Sequence, residues 1–167
     1  MGIVLVRNED LFVEQAIRNI AEFCDRIHSF DHVSTDRTNE ILRRLAREYA
    51  HLDVRRTHRA QDSHGRIEDY AGTDTWVFGV DGDELYDPAR LMLFREELLG
   101  GAHDRAFKVA SNVINCTELD PERGVARGYP SPPSRSITKL YNFAAIQSWV
   151  GDGSERLHGG TIVFRNG

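Results

Sequence analysis

Lysine is scarce in this chain: Lys108 and Lys139 are the only two among 21 basic residues, and the rest are arginine. Arginine suits bidentate contacts to carboxylate or phosphate, but a GC-rich genome gives the same bias and is the simpler source. The formal charge is −5, and no basic stripe with interleaved aromatics runs along the sequence. That argues against a nucleic-acid partner. Cysteine is nearly absent. Cys24 and Cys116 lie far apart, so a disulfide framework is excluded and both read as reduced thiols of a cytoplasmic protein. Asn115-Cys116-Thr117 matches a glycosylation sequon, but nothing else in the chain points to secretion. No apolar run approaches the roughly 20 residues of a membrane span. No signal peptide is expected, because the first residues run straight into a strand.

What remains is an ordinary globular composition, 40% hydrophobic over 167 residues, enough for one domain with a real core. Gly2–Val6, Arg26–Phe30, Leu52–Thr57 and Thr75–Val80 read as strands. Between the first two, Leu11, Phe12, Ala16, Ile17, Ile20 and Phe23 fall at helical spacing behind a candidate cap, Asp10. A second helix carries Ile41, Leu42, Leu45, Ala46 and Tyr49. His58–Gly65 reads as a polar loop and Arg66–Ala71 as a short helix. Asp87 and Pro88 read as cap and first residue of a helix to about Leu99, closed by Gly100-Gly101. This alternation predicts a three-layer α/β sandwich with a mostly parallel sheet. Beyond it, Ala106–Ile114, Ile137–Phe143, Ile146–Val150 and Thr161–Phe164 read as strands, with a Pro/Gly/Arg-rich loop over 120–135. Trp76 and Trp149 are expected in the core, and His51, His58, His64 and His103 on the surface.

In open α/β sheets ligands bind beyond the carboxyl ends of the strands. Three polar clusters fall there: Arg7-Asn8-Glu9, Asp31 to Asp36, and Asp81 to Glu84. The last closes the run "WVFGVDGDELYDP" with three acids in four positions. Such density repels itself unless water, protonation or a cation relieves it. Two aspartates around a glycine can share one hard cation, which completes its shell with phosphates and water. Gly82 would let a diphosphate approach the backbone. An EF-hand is excluded, because Leu85 and Tyr86 stand where an oxygen ligand and a glycine are needed.

"VRNED" at 6–10, "FDHVSTDRT" at 30–38 and "VFGVDGDEL" at 77–85 resemble, in order and spacing, family 2 glycosyltransferases of the GT-A fold. The likeness covers roughly residues 3–100, a nucleotide-sugar-binding half, and leaves 101–167 as an acceptor-side half of the same domain. His32 and Val33 depart from the family's second loop. The resemblance implies an enzyme of the hexosyltransferase kind. It would take a UDP-, GDP- or dTDP-sugar and an unknown acceptor, use Mg²⁺ or Mn²⁺, and invert at the anomeric carbon. It implies that Arg7, Asn8 and Glu9 line the nucleotide pocket, that Asp31 contacts the base and that Asp36 positions the loop. Asp81, beside Gly82, would sit near the ribose and the metal, and Asp83 would ligate it. His158 in "LHGG" would be a further metal or diphosphate contact, and Arg66 a pyrophosphate or base contact. The general base would come from "WVGDGSERLHGG", with Asp152 ahead of Glu155.

Plainer roles stand beside these. Asp36 also suits a helix cap, Asp152 and His158 also suit turns, and Asp81-Gly82-Asp83 also suits a solvated turn. A sugar nucleotidyltransferase is disfavoured because "VRNED" holds no glycine. A non-catalytic domain that only binds a nucleotide or carbohydrate stays open, as does a homo-oligomer.

Overall fold

A computed structural model of the protein describes residues 1–120, 123, 125–130 and 136–165. Four strands, β1 (Gly2–Val6), β2 (Ile27–Asp31), β3 (Leu52–Arg56) and β4 (Trp76–Asp81), alternate with helices α1 (Val13–Ile20), α2 (Thr38–Glu48) and α3 (Asp62–Glu68). Helix α4 (Pro88–Leu99) follows, then β5 (Lys108–Asn112), β6 (Ile114–Asp120), β7 (Val125–Pro130) and β8 (Ser136–Asn142). A 3₁₀ turn (Phe143–Ala145) leads to β9 (Ile146–Val150) and β10 (Thr161–Phe164). The main sheet has the order β3-β2-β1-β4-β8-β5. β1 to β4 are mutually parallel, and β8 runs antiparallel to both of its neighbours. The expected α/β architecture is the observed one.

Strand alternation sends residues to two cores. Val4, Val6, Phe78 and Val80 pack under α1, α2 and α4, while Ile3, Phe30 and Val77 meet Ile67, Phe143 and Trp149 on the opposite face. Each large apolar side chain fully buried this way contributes about 1.5–3 kcal/mol. The second outer layer is a short helix plus the β9–β10 hairpin, so the sandwich is less helical than the alternation implied.

Several expectations need correction. Asp10 caps nothing: α1 begins after Phe12 without a side-chain cap, leaving Leu11 71% and Phe12 46% exposed ahead of it. α3 starts at Asp62, because Ser63 and His64 are buried and make polar contacts inside, so the segment has no apolar signature. His64 is therefore not a surface group. The strand expected over 106–114 breaks at Val113 into β5 and β6, and the loop expected over 120–135 contains β7, paired with β6. Residues 121, 122, 124 and 131–135 of that loop lie outside the described residues. Asp87 does cap α4, accepting the Arg90 N–H at 3.1 Å with Pro88 behind it. Among the described residues no helix is long and apolar enough to cross a membrane.

Candidate active site at the carboxyl edge of the sheet

The loops after β1 and β2 are zipped together by short polar side chains. Ser34 Oγ accepts the Asn8 N–H at 2.9 Å, and Thr38 Oγ1 accepts the Glu9 N–H at 2.8 Å. Asn8 Oδ1 in return accepts the Thr35 N–H at 2.8 Å. Asp36 takes the Thr38 N–H at 2.9 Å on one oxygen and the Asp10 N–H at 3.2 Å on the other. It thus holds the first turn of α2 and the neighbouring loop at once. Asn8 and Asp36 act here as organisers of the edge.

Asp31 ends β2 with its side chain completely buried. Its Oδ1 accepts the Ser34 N–H at 2.9 Å. Among the described residues its Oδ2 has no hydrogen-bond partner, and Arg56 Nε forms an ion pair with it at 3.5 Å. A buried carboxylate oxygen left unmatched costs roughly 1–3 kcal/mol, so this atom is held in a state that a donor group would relieve.

Backbone strain gathers at the same edge. Among the described residues the non-glycine positions with left-handed backbone are Asn8, Val33 and Arg156. They fall one in each of three loops: after β1, after β2, and between β9 and β10. Asn tolerates this conformation. For a β-branched valine it costs of order 1–3 kcal/mol, and such strain clusters at functional sites.

At the end of β4, Asp81 is flanked by two cations. Arg156 Nη1 lies 2.5 Å from its Oδ1, and Lys139 Nζ lies 3.4 Å from its Oδ2. Lys139 also reaches Glu84 Oε1 at 2.5 Å. Glu84 Oε2 accepts the Asp81 N–H at 3.1 Å and the Tyr86 hydroxyl at 3.0 Å. Burial and the Glu84 charge push the Tyr86 phenol up, so it stays a donor. Burial alone would raise the Asp81 carboxyl; Arg156 and then Lys139 outweigh it and hold the group below its ordinary range. A depressed carboxyl stabilises the fold above the unfolded-state value of about 3.9 and loses that contribution as pH falls through the folded value. Asp81→Asn is accordingly expected to flatten the loss of stability below about pH 4. Urea midpoints across that range check it, and an unchanged slope would show that the pairing is screened.

Gly82 is buried, and its missing Cβ would lie 2.6 Å from Val6 Cγ1 and 3.0 Å from Glu9 Cγ. The open space expected for a diphosphate is filled by the chain's own β1 end. Gly82→Ala should therefore cost about 1–3 kcal/mol by overpacking. Urea unfolding measures it, and a neutral result would mean that Val6 yields. Glu9 is raised above its ordinary value by burial, then by Asp83, Asp36 and Asp81. The negative field at this edge is therefore only partly compensated. Asp83 is exposed and, among the described residues, makes no hydrogen bond or ion pair.

Does a divalent cation fit? Among the described residues, no three His, Cys, Asp or Glu side chains gather into a metal-holding group. Asp81 is occupied by cations. His158 is exposed, and its N–H donates to Glu155 O at 3.0 Å, as a turn residue does. Neither is brought to Asp83 as a protein cage. The residues do fit the looser kind of site in which one carboxylate holds the ion and phosphates and water supply the rest. Asp83, exposed and unpaired among the described residues, would be that carboxylate.

Asp152 and Glu155 differ sharply. Asp152 is exposed, its oxygens held by Ser154 and the Gly160 N–H, and its carboxyl is lowered to about 2. That makes it a weak proton acceptor and a loop organiser. Glu155 touches the other arm of the Arg156 guanidinium at 3.7 Å, and so shares one cation with Asp81. Arg66 does not join the group. It pairs at 2.9 Å with Asp69, just past the end of its own helix, and its charge bears on His28 near the amino end of β2. Arg7 is exposed at the rim.

Arg156 and Lys139 were not read as site residues from the sequence, and Glu84 was read only as one acid of its cluster. Lys139 did carry a signal, a rare lysine inside the strand pattern "SITKLYN". Arg156 sits in irregular backbone, where no periodicity marks it.

No family profile and no curated protein matches this chain. Solved structures do. A crystal structure of residues 1–349 of S. aureus TarS is 17% identical, with 86% of this chain aligned to 47% of that one at a TM-score of 0.54. The mannosyltransferase PcManGT from Pyrobaculum calidifontis, in complex with GDP-Man and Mn²⁺, is 23% identical. There 68% of this chain aligns to 35% of that one, at a TM-score of 0.50. The shared feature is the fold, the GT-A type read from the sequence. The chain spans less than half the length of either structure.

Proposed function

We propose that the chain is a glycosyltransferase moving a sugar from a nucleotide-diphosphate-sugar to an acceptor with the help of Mg²⁺ or Mn²⁺. One observation carries the reading: Asp31, Glu9, Asp81 and Asp83 converge at the carboxyl edge of parallel strands. The fold is shared with a mannosyltransferase solved with GDP-Man and Mn²⁺. Asp31 Oδ2, buried and unmatched, accepts an N–H of the base. Asp83 holds the metal, which when bound neutralises charge growing on the departing nucleoside diphosphate. Arg156 and Lys139 add fixed positive charge beside Asp81. The anomeric carbon passes through an oxocarbenium-like state and inverts. Glu155 takes the acceptor's proton in preference to Asp152, whose oxygens are already engaged and whose carboxyl is held low.

A thermal-shift series with UDP, GDP and dTDP, each with and without Mn²⁺, tests the reading. A ligand present at a hundred times its dissociation constant stabilises by about 2.7 kcal/mol. At least one diphosphate is expected to raise the melting temperature, more so with Mn²⁺, and Asp31→Asn is expected to abolish that rise while staying folded. No rise with any diphosphate would end the proposal. A rise without release of nucleoside diphosphate from the matching sugar donor would reduce it to a binding domain.

A further inference from the structure

The strained backbone of Arg156 is gripped on both sides by one dipeptide. Its N–H donates to Ser63 Oγ at 3.0 Å, and its carbonyl accepts from His64 Nδ1 at 2.6 Å. A carbonyl only accepts, so Nδ1 carries the proton. Ser63 and His64 are both buried in α3, on the opposite outer layer from α1 and α2. His64 Nε2 faces Trp149 O at 3.4 Å and Glu68 Oε1 at 3.5 Å, and its ring meets the Trp149 ring edge-on at 5.7 Å. Gly151 passes directly over it, since a Cβ there would lie 2.6 Å from His64 Cδ2. The imidazole is thus fixed on every side by β9 and the loop that follows.

The grip has a directed result. Left-handed backbone at an arginine is unfavourable, and two hydrogen bonds to buried donors and acceptors offset it. With the backbone so set, the guanidinium donates to Val80 O at 3.0 Å and meets Asp81 at 2.5 Å. Its Nε is buried without a hydrogen-bond partner among the described residues. The head group is therefore aimed at the end of β4 rather than into solvent.

We propose that Ser63 and His64 are positioning residues, a buried clamp that fixes the Arg156 guanidinium at the sheet edge where it receives the donor's diphosphate. The diphosphate half of this rests on the function proposed above. The positioning half stands on the hydrogen bonds alone. Placement errors of an ångström at such a group cost up to about a hundredfold, so loosening the clamp should be visible in affinity without loss of the fold.

The test compares Ser63→Ala, His64→Leu and His64→Asn with the wild type. Asn places an N–H donor where Nδ1 stands and serves as the rescue. Calorimetry measures uridine against UDP and guanosine against GDP. Side-chain NMR follows hydrogen exchange at Arg156 Nε. Diphosphate affinity is expected to fall about tenfold in Ser63→Ala and His64→Leu, with nucleoside affinity unchanged and with recovery in His64→Asn. Equal losses for nucleoside and diphosphate, or no loss, would overturn the clamp. If the wild type binds no diphosphate, the proposed function fails, and exchange at Arg156 Nε decides the positioning half. At least about tenfold faster exchange in folded Ser63→Ala upholds it, and unchanged exchange refutes it.

Discussion

Asp83→Asn is expected to leave a folded protein whose Mn²⁺-dependent donor turnover falls by about two orders of magnitude or more, the scale of several kcal/mol of lost charge stabilisation. The substitution is nearly isosteric and falls on an exposed side chain that holds nothing else in place. Stability should stay within about 0.5 kcal/mol of wild type. It removes an exposed carboxylate that has no ion pair among the described residues, whereas Asp81 and Glu84 already have Lys139 and Arg156. Glu9 should relax downward as well, because Asp83 is the largest charge acting to raise it. Turnover against Mn²⁺ concentration, alongside a thermal melt, reads both effects. Wild-type turnover with an unchanged metal requirement would move the ion elsewhere.

Lys139→Met should do the reverse and strike the fold. Its side chain is only 7% exposed, and its ammonium is the charge that lets Glu84 and Asp81 lie side by side. Methionine keeps a buried apolar stem of similar length and leaves Glu84 without its cation beside Asp81. Breaking a buried pair this way costs about 3–5 kcal/mol. For a domain of this size that is a fall of roughly 6–20 °C in Tm. Adding Glu84→Gln should recover much of the loss, because the stranded charge is then gone. Urea unfolding of the two single mutants and the double mutant measures the coupling. A loss under about 0.5 kcal/mol would mean that water already screens the pair.

The first four strands were legible because their signals are periodic. β1 to β4 are apolar runs ending in polar clusters, and Asp87-Pro88 marks a helix start by its backbone chemistry. Edge positions such as Asp31 and Asp81 followed from topology alone. The missed features lack any such period. β6 and β7 are exposed on nearly every residue, so no in–out alternation distinguishes them from a loop. α3 buries a serine and a histidine ahead of its single buried apolar residue, Ile67, and the first two are held by hydrogen bonds to a segment some ninety positions away. Arg156 owes its importance to a left-handed backbone and a distant clamp, neither of which is written in residue type. The sequence likewise does not show that the Asp152 carboxylate is held within its own turn by Ser154.

Asn112 of β5 stands opposite Ser136 of β8 in the sheet register. The chain therefore departs for the β6–β7 ribbon and returns at adjoining points, and the six-stranded order is blind to what happens between. In evolutionary terms this is a cassette seat. A longer, shorter or wholly different insert changes only a loop-closure cost of about 0.6 kcal/mol per doubling of length. The charged edge built by β1, β2 and β4 would pass unaltered through such exchanges, so descendants of this domain can diversify the β6–β7 ribbon while inheriting one edge.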